Sequence, residues 1–533
     1  MALLLGIDIG TTHWKTILFD QRGKAIATAK VETINHSDGY GVVYNPGELW
    51  GNVAAMIRQV LNEGAAGRDI AAIAIASMAE SGLLVDAHGE PAGPIIPYFD
   101  QRSLPQSQMI KARLGADRVY RITGMFISPL NSLTKLLWLK QNQPELFRRA
   151  AKWLCIPDYL YYQLTGQYAT DYSIGCRTLA MDISSRAWSE TILYALGIEA
   201  SFFAPLYPSG TIIGRITRAA AALTGLAEGT PVVTGGHDHF CGSLAAGLLW
   251  GERLINSSGT AESIHTLLKE QLPPTAEFKG FSIGRYVDAE HLYIGGGLTG
   301  SGATVDWALR HIAGLSDWGE GRPSLSYEAV FERVGRTAAG ANGLLFLPHL
   351  RGGSYPHWDP TSRGAWLGLR LNHNAPEMMR AVIEGLCFEI KGMIDGLKES
   401  AGYPLRQITA IGGGSRNEFW LQTKADITGL PIEVPDIAEA TALGAALLAG
   451  LGVGIYQDGL DANRQTYRVR KRFEPRPEVK QRYERLFQVY KRVYERLSGI
   501  NEALENDVRL NGACNDEQEP YHPVRGESSC PRI

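Results

Sequence analysis

The first twenty residues constrain the fold most, because they contain a strand, a glycine turn and a second strand. Residues 3–9 form an apolar run that is interrupted by one acid, which is typical of a buried β-strand. Gly10 then permits a turn with positive φ, and the apolar pattern resumes over residues 14–19. The pattern therefore predicts two paired strands with a short polar tip.

The polar tip has the composition of an anion-binding site. It places Thr11, Thr12 and Lys15 beside successive backbone N–H groups, which together form a nest for a phosphate. Asp8 precedes the turn and is a candidate magnesium ligand, since Mg²⁺ is usually held by one or two carboxylates, water and phosphates. An ordinary hairpin is the alternative, because the motif is too short to be decisive alone.

Length, composition and charge narrow the class of protein. A chain of 533 residues with 45% hydrophobic and 20% charged residues is expected to form at least two globular domains. The net charge of −3 gives no reason to expect nucleic acid or an anionic membrane as a partner. The first residues do not resemble a signal peptide, and no apolar run reaches the length of a membrane span. The six cysteines form no C-x-x-C pair, so neither a disulfide framework nor a zinc site is indicated. We therefore expect a cytoplasmic protein.

Polar residues that follow apolar strands are candidate ligands, because α/β proteins place their ligands at strand ends. Glu80, Asp100 and Arg102 are substrate candidates on this ground, and a loop ion pair is the alternative for each. Asp238 follows a strand and a glycine pair and opens a helix, which predicts a catalytic acid or base at a cleft, with a plain helix cap as the alternative. His239 is a further substrate candidate.

The second half repeats the pattern of the first. Residues 252–268 again read as strand, Ser-Gly-Thr turn and strand, which predicts a duplicated fold and a second phosphate-binding turn at Gly259 and Thr260. Later glycine-rich loops contain Gly302 and Gly413, and Asn417 follows the second of them. Such loops let a nucleotide approach the backbone closely, although they also form plain turns.

These motifs together resemble those of the FGGY carbohydrate kinases, the group that includes glycerol kinase, xylulokinase and fuculokinase. The resemblance covers roughly residues 3–500, and no single glycine loop carries it. Its motifs are Gly6–Thr12 with Lys15, Ser132–Leu139, Gly235–Asp238, Ser258–Thr260, Gly343–Gly364, and Gly412–Asn417 with Gln422 and Asp426.

The resemblance implies an α/β fold of two ribonuclease H-like domains, as in actin and hexokinase, flanking a cleft. We expect a sugar-binding domain over residues 1–247, a nucleotide-binding domain over 248–500 and a polar, disordered tail over 501–533. ATP and Mg²⁺ are the implied cofactors, and a sugar or polyol is the implied substrate. A homodimer is left open.

The resemblance also implies a role for each candidate residue. Asp238 is the implied general base and Asp8 the implied magnesium ligand. The phosphates and the nucleotide are assigned to Thr11, Thr12, Lys15, Gly259, Thr260, Gly302, Gly413 and Asn417. The sugar is assigned to Glu80, Asp100, Arg102 and His239.

The substrate motif departs from the patterns of the named subfamilies. Glycerol kinases carry an arginine where this chain has Ala79, and xylulokinases usually carry Gln-Met-His-Gly where this chain has Ser77–Glu80. A ketose, either a pentulose or a hexulose, is favoured over other polyols by its frequency in the family. An actin-like or chaperone-like ATPase and a sugar-binding regulator without catalysis are the alternative functions.

Overall fold

The computed structural model describes residues 2–65, 70–268, 280–288, 290–313 and 326–510. The strands of the first half are β1 Leu3–Ile9, β2 His13–Asp20, β3 Ala25–Glu32, β4 His36–Ser37, β5 Val42–Val43, β6 Ile70–Ser77, β7 Gly82–Val85, β8 Lys152–Cys155, β9 Thr170–Asp171, β10 Met181–Asp182, β11 Ala187–Trp188, β12 Leu206–Tyr207, β13 Ile212–Arg215 and β14 Pro231–His237. Its helices are α1 Pro46–Val60, α2 Leu104–Leu114, α3 Ala116–Thr123, α4 Ser132–Asn142, α5 Pro144–Arg149, α6 Ile156–Thr165, α7 Tyr172–Arg177, α8 Glu190–Leu196, α9 Arg218–Thr224 and α10 Asp238–Ala245.

The second half continues the same alternation. Its strands are β15 Arg253–Ser258, β16 Glu262–Leu267, β17 Ser282–Arg285, β18 Leu292–Leu298, β19 Leu345–Leu347, β20 Ala365–Leu367, β21 Gln407–Ile411, β22 Ile432–Pro435 and β23 Val469–Phe473. Its helices are α11 Ser301–His311, α12 Tyr327–Gly335, α13 Ala375–Ser400, α14 Glu418–Thr428, α15 Ala440–Gly452, α16 Gly459–Thr466, α17 Pro477–Tyr490 and α18 Val493–Leu510.

Each half contains one mixed sheet with the same core order. In the first sheet, β13-β14-β6-β1-β2-β3, the strands β1, β2 and β3 form an antiparallel meander, and β6 and β14 run parallel to β1. In the second sheet, β17-β18-β16-β15-β21-β22-β23, β15, β16 and β18 form the meander, and β21 and β22 run parallel to β15. The predicted two-domain ribonuclease H-like fold and its duplication are confirmed.

The two halves meet along α10 and α15, which pack against each other and form a shared apolar core. Small residues make this contact close: a Cβ atom at Gly444 would lie 1.8 Å from the carbonyl oxygen of Cys241, and one at Gly6 would lie 2.0 Å from that of Ala442. Although α15 lies in the predicted nucleotide-binding domain, it packs against β1, β6 and β14 of the first sheet. This helix therefore forms a large part of the contact between the two halves.

Three local predictions differ from the structure. The sequence predicts a glycine turn before Asp238, but Gly235 and Gly236 lie inside β14. Glycine is needed there for a close strand contact, since a Cβ atom at Gly235 would lie 2.0 Å from the carbonyl oxygen of Ile75. The apolar residues at helical spacing from Val479 to Leu497 predict one long C-terminal helix, but the structure has two helices there, α17 and α18. The tail predicted from residue 501 begins as helix, since α18 continues to Leu510 and buries Asn501; residues 511–533 lie outside the described residues.

Within the residues that the structure describes, none of the helices combines the length and the apolar character that a bilayer-crossing segment requires.

Candidate active site

The first phosphate turn has the predicted form. Asp8 lies opposite Lys15 in the β1–β2 pairing, and the Gly10 N–H donates to the carbonyl oxygen of His13 at 3.1 Å to close the turn. Thr12 is exposed and Thr11 is half-buried at the tip. The Lys15 ammonium contacts Glu439 Oε2 at 2.6 Å, so an acid from the start of α15 reaches this turn.

Asp8 is almost completely buried, and its surroundings disfavour the ionised form. Burial raises the pKa of Asp8 to about 7; the charge of Lys15 opposes this shift, and that of Asp238 adds to it. A buried carboxylate with a raised pKa is stabilised in its charged form by a nearby cation. The sheet register places the two carboxyl groups in one region, because Ser77 of β6 pairs with Ile9 on one side and with His237 on the other.

Asp238 is the first residue of α10 and follows β14 directly. Its Oδ1 accepts from the backbone N–H of His239 at 2.7 Å and lies 3.0 Å from Nδ1 of His237. Burial alone would raise the pKa of Asp238, but the two neighbouring histidines and these hydrogen bonds outweigh burial and lower it to about 2. The carboxylate is thus held ionised at neutral pH.

A buried network fixes the backbone just before Asp238. The N–H of His237 donates to Ser173 Oγ at 2.9 Å, and the Ser173 hydroxyl donates to Asp171 Oδ1 at 2.5 Å. Asp171 has no exposed surface, and Ser209 donates to the same oxygen at 3.2 Å. The network therefore sets where the carboxylate of Asp238 points.

The second phosphate turn joins β15 to β16, where Gly259 and Thr260 are exposed. The N–H of Gly302, at the start of α11, donates to the carbonyl oxygen of Gly259 at 3.2 Å. A Cβ atom at Gly302 would lie 2.2 Å from that oxygen, so only glycine fits there. The structure thus brings the predicted Gly302 loop onto the predicted phosphate turn.

A buried ion pair supports this turn from below. The Lys424 ammonium donates to Glu262 Oε1 and to Asn256 Oδ1, and the Ser301 hydroxyl donates to Glu262 Oε2 at 2.6 Å. The side chains of Lys424 and Glu262 are 1% and 0% exposed. Burial alone would raise the pKa of Glu262, but the charge of Lys424 outweighs it and lowers the pKa. This network joins β15, β16, α11 and α14.

The Gly413 loop lies against the same turn. Gly413–Arg416 form a short 3₁₀ turn, and a Cβ atom at Gly414 would lie 2.7 Å from Cβ of Ser258. Asn417 caps α14 through the N–H of Trp420 at 2.9 Å, and its amide donates to the Tyr327 hydroxyl at 2.7 Å. The predicted nucleotide residues of the second half therefore surround one location.

Glu80 lies between β6 and β7 in a left-handed conformation with φ of 62°. A buried residue other than glycine in this conformation is uncommon and is often found at functional sites. Arg177, from the end of α7, donates through Nε to Glu80 Oε1 at 2.6 Å. The charges of Glu80, Arg177 and Asp238 all act on His239, whose pKa is lowered mainly by burial. The pairing of Ser77 with His237 also places Glu80, which follows β6, at the same sheet edge as Asp238 and His239.

Asp100 and Arg102 form a separate buried ion cluster. Arg102 Nε contacts Asp100 Oδ1 at 2.8 Å and Nη1 contacts Asp38 Oδ2 at 2.6 Å, and both Arg102 and Asp100 are 2% exposed. The guanidinium also lies 5.0 Å from the ring centroid of Trp138. Arg102 thus bonds to both carboxylates of the cluster. This arrangement fits the alternative interpretation of Asp100 and Arg102, a loop ion pair.

Three features of the site were not predicted from the sequence: Arg177, Glu439 and the Asp171–Ser173 network. A polar turn is visible in the sequence at residues 170–173, but nothing local connects it to Asp238. Arg177 and Glu439 become recognisable only through partners that are 97 and 424 positions away.

Residues 3–245 match the N-terminal domain of the FGGY family of carbohydrate kinases, and residues 254–453 match its C-terminal domain. A xylulose kinase from Bacillus subtilis (strain 168) is 32% identical over 514 residues, which cover 95% of this chain and 99% of the relative. A gluconokinase from the same organism is 28% identical and covers 86% of this chain and 88% of the relative.

The solved structures agree with these relatives. The crystal structure of ligand-bound xylulose kinase from Lactobacillus acidophilus superposes with a TM-score of 0.85 at 26% identity, covering 95% of this chain and 100% of that chain. The chain therefore belongs to the FGGY family of carbohydrate kinases, which are phosphotransferases that use ATP with Mg²⁺ as the phosphate donor.

Proposed function

We propose that this enzyme transfers the γ-phosphoryl group of ATP to a hydroxyl group of a ketose, with Asp238 as the general base. The observation that carries the proposal is the register of the first sheet, in which Ser77 pairs with Ile9 on one side and with His237 on the other. The ends of β1, β6 and β14 therefore lie side by side, and they carry Asp8, Glu80 and Asp238. A base in this position would lie beside both the first phosphate turn and the polar side chains assigned to the sugar. The similarity to xylulose kinases, named for a ketopentose, supports the choice of a ketose.

Asp8 suits a magnesium ion. Mg²⁺ binds through few protein carboxylates and keeps water and phosphate oxygens as its remaining ligands. The described residues contain no cluster of three or more potential ligand side chains, so a site with one or two carboxylates is what this region offers. The ion would neutralise the phosphate charge that develops during transfer. Its charge also favours the ionised form of a carboxyl group whose pKa is otherwise about 7.

The two turns would hold the phosphates from opposite sides. Thr11, Thr12 and Lys15 come from the first half, and Gly259 and Thr260 come from the second. Hydroxyl groups and backbone N–H groups at glycine turns are suitable donors for phosphate oxygens. We assign the nucleoside to the space bordered by Gly302, Gly413 and Asn417, because these residues lie against the second turn.

The acceptor hydroxyl would donate to Asp238 and lose its proton to that carboxylate as the phosphoryl group is transferred. A carboxylate with a pKa of about 2 is a weak base. A weak base suffices here, because the transition state of phosphoryl transfer is loose and depends mainly on alignment and charge neutralisation. The main task of Asp238 is therefore to orient the hydroxyl in line, and the Ser173 network fixes the backbone that carries it.

Steady-state ADP release tests the proposal. Purified protein with Mg-ATP is assayed with ketopentoses, ketohexoses, glycerol and D-gluconate, and turnover is expected with a ketose. Asp238→Asn should lower kcat roughly 10²–10⁴-fold, the range for loss of a general base, while ATP still binds. Glu332→Gln, which changes an exposed carboxylate, is the matched control and should leave kcat unchanged. Full turnover by Asp238→Asn would refute the assignment of the base.

A further inference from the structure

The Glu80–Arg177 ion pair lies at the same sheet edge as Asp238, since Glu80 follows β6 and Asp238 follows the neighbouring strand β14. Arg177 Nη2 and Nε lie 2.5 and 2.6 Å from Glu80 Oε1, and Nη1 lies 3.6 Å from the sulfur atom of Met125. The Arg177 side chain is 23% exposed, whereas the Glu80 side chain is 5% exposed. Arg177 is therefore the partner that a substrate in the cleft meets first.

Both halves of the protein hold this pair in place. The Ser132 hydroxyl donates to the carbonyl oxygen of Glu80 at 3.0 Å and fixes the left-handed turn. Tyr293, on β18 of the second half, donates through its hydroxyl to the sulfur atom of Met125 at 3.9 Å, the same atom that Arg177 Nη1 approaches. Its ring packs at a tilt on Phe240, two residues after Asp238, with ring centroids 4.0 Å apart. Burial opposes the charged form of Arg177, but Glu80 and Tyr293 outweigh it and raise the pKa of the guanidinium further.

The Glu80–Arg177 pair contributes no net charge to the substrate side of the site. The charge of Arg177 is balanced by Glu80, and the hydrogen-bond partners of Asp238 described above are a histidine ring and a backbone N–H, with no lysine or arginine among them. A substrate carboxylate would have to separate a largely buried ion pair and would also meet the negative charge of Asp238. Separating such a pair is strongly unfavourable, because it leaves a buried charge uncompensated. Hydroxyl groups face no such barrier, since Glu80 accepts and Arg177 donates hydrogen bonds.

We infer that the Glu80–Arg177 pair selects uncharged polyhydroxylated substrates, such as ketoses, and rejects sugar acids, with Arg177 as a substrate-contacting residue. This inference rests on the proposed function in one respect: the acceptor sugar binds beside Asp238. The charge of the substrate distinguishes the two kinds of similar protein: xylulose kinases are named for a neutral ketose, and gluconokinases are named for an anionic aldonate. Neutralising Glu80 should release the Arg177 charge for a carboxylate.

The test compares a ketopentose, D-xylulose, with an aldonate, D-gluconate. For the wild type, kcat/KM is expected to be higher with D-xylulose. Glu80→Gln keeps the size of the side chain and should raise the ratio of kcat/KM for D-gluconate to that for D-xylulose at least tenfold, mainly through a lower KM for the aldonate. Arg177→Gln should lower kcat/KM for D-xylulose without a gain for D-gluconate, and Arg177→Lys should recover part of the loss.

Controls separate this inference from the proposed function. Melting temperature and ATP affinity of each variant report whether the fold and the nucleotide site are intact. Binding of both probes to the wild type and to Glu80→Gln is measured by calorimetry with the non-hydrolysable ATP analogue AMP-PNP, so the charge effect is tested even if neither probe is phosphorylated. Tighter wild-type binding of D-gluconate, or an unchanged binding ratio in folded Glu80→Gln, would overturn the inference. Turnover by Asp238→Asn would instead count against the proposed base.

Discussion

Lys15 Nζ and Glu439 Oε2 lie 2.6 Å apart, although they are separated by 424 positions in the sequence. Lys15 lies on the first phosphate turn, and Glu439 lies immediately before α15, the helix that joins the two halves. The lysine proposed to bind phosphate therefore already has an anionic partner. A phosphate that approaches Lys15 has to compete with Glu439.

This competition predicts that Glu439→Gln strengthens ATP binding. The two side chains are 22% and 38% exposed, so solvent screens the pair and its contribution is at most about 1 kcal/mol, or a factor of about five in affinity. Isothermal titration with Mg-ATP is expected to give a lower Kd for Glu439→Gln and a higher Kd for Lys15→Met. Glu418→Gln breaks the exposed pair with Lys471 and serves as the control, with no change expected. Weaker ATP binding by Glu439→Gln would contradict the competition.

The close contact between α10 and α15 predicts that Gly444→Ala destabilises the protein severely. The new Cβ atom would lie 1.8 Å from the carbonyl oxygen of Cys241, so one helix has to move away from the other. Overpacking of this kind costs about 3 kcal/mol or more in the free energy of unfolding. Urea unfolding measures the loss.

Gly392→Ala is the matched control for this substitution. Gly392 lies inside α13, and its Cβ position has no atom within 4 Å. The same change should therefore stabilise the protein by about 0.5–1 kcal/mol, because alanine is the better helix former. Equal effects of the two substitutions would show that the helix contact is looser than the structure indicates.

The buried Lys424–Glu262 pair predicts that removing either partner weakens both the fold and ATP binding. Glu262→Gln leaves an ammonium that is 1% exposed without its anion, which typically costs about 3–5 kcal/mol. ATP affinity should fall as well, because Glu262 holds Ser301 and Ser258 around the second phosphate turn. Chemical unfolding and ATP titration measure the two effects.

The exposed pair of Arg336 and Glu332 provides a comparison for that loss. These side chains are 76% and 67% exposed, so Glu332→Gln should change the free energy of unfolding by less than about 0.5 kcal/mol. If Glu262→Gln also changed the free energy of unfolding only slightly, water would have to reach the Lys424 ammonium, contrary to its burial.

Local patterns made much of this fold predictable. The β1–β2 turn and its repeat at β15–β16 follow from apolar runs and turn residues within twenty positions of sequence. The candidates at Asp8, Glu80 and Asp238 follow from the rule that ligands bind at strand ends. Pairings across the fold were not predictable, because they depend on how distant elements pack. Arg177 has no local feature that connects it to Glu80, and Asp38, which binds Arg102, lies 64 positions before it.

The same limit applies to the contacts of α15. Its sequence is almost entirely apolar and small, which predicts a buried helix but gives no direction to its contacts. The direction becomes visible only in the structure, where Gly444 lets the backbone of α10 approach α15 and Gly6 lets the backbone of α15 approach β1. These contacts join residues more than 200 positions apart.

The lowered pKa of Asp238 predicts a pH-dependent difference in stability between the wild type and Asp238→Asn. The folded state lowers this pKa from 3.8 to about 2, so the carboxylate contributes stability above pH 4 and loses it as the pH falls from about 4 to about 2. The wild type should therefore exceed Asp238→Asn in unfolding free energy by about 1 kcal/mol more at pH 5 than at pH 3. Urea unfolding at both pH values measures the difference, and Glu332→Gln, an exposed carboxylate change, should show none. A difference that stays constant or grows on acidification would contradict this prediction, because it would mean that the histidines and the His239 N–H do not outweigh the effect of burial on the pKa of Asp238.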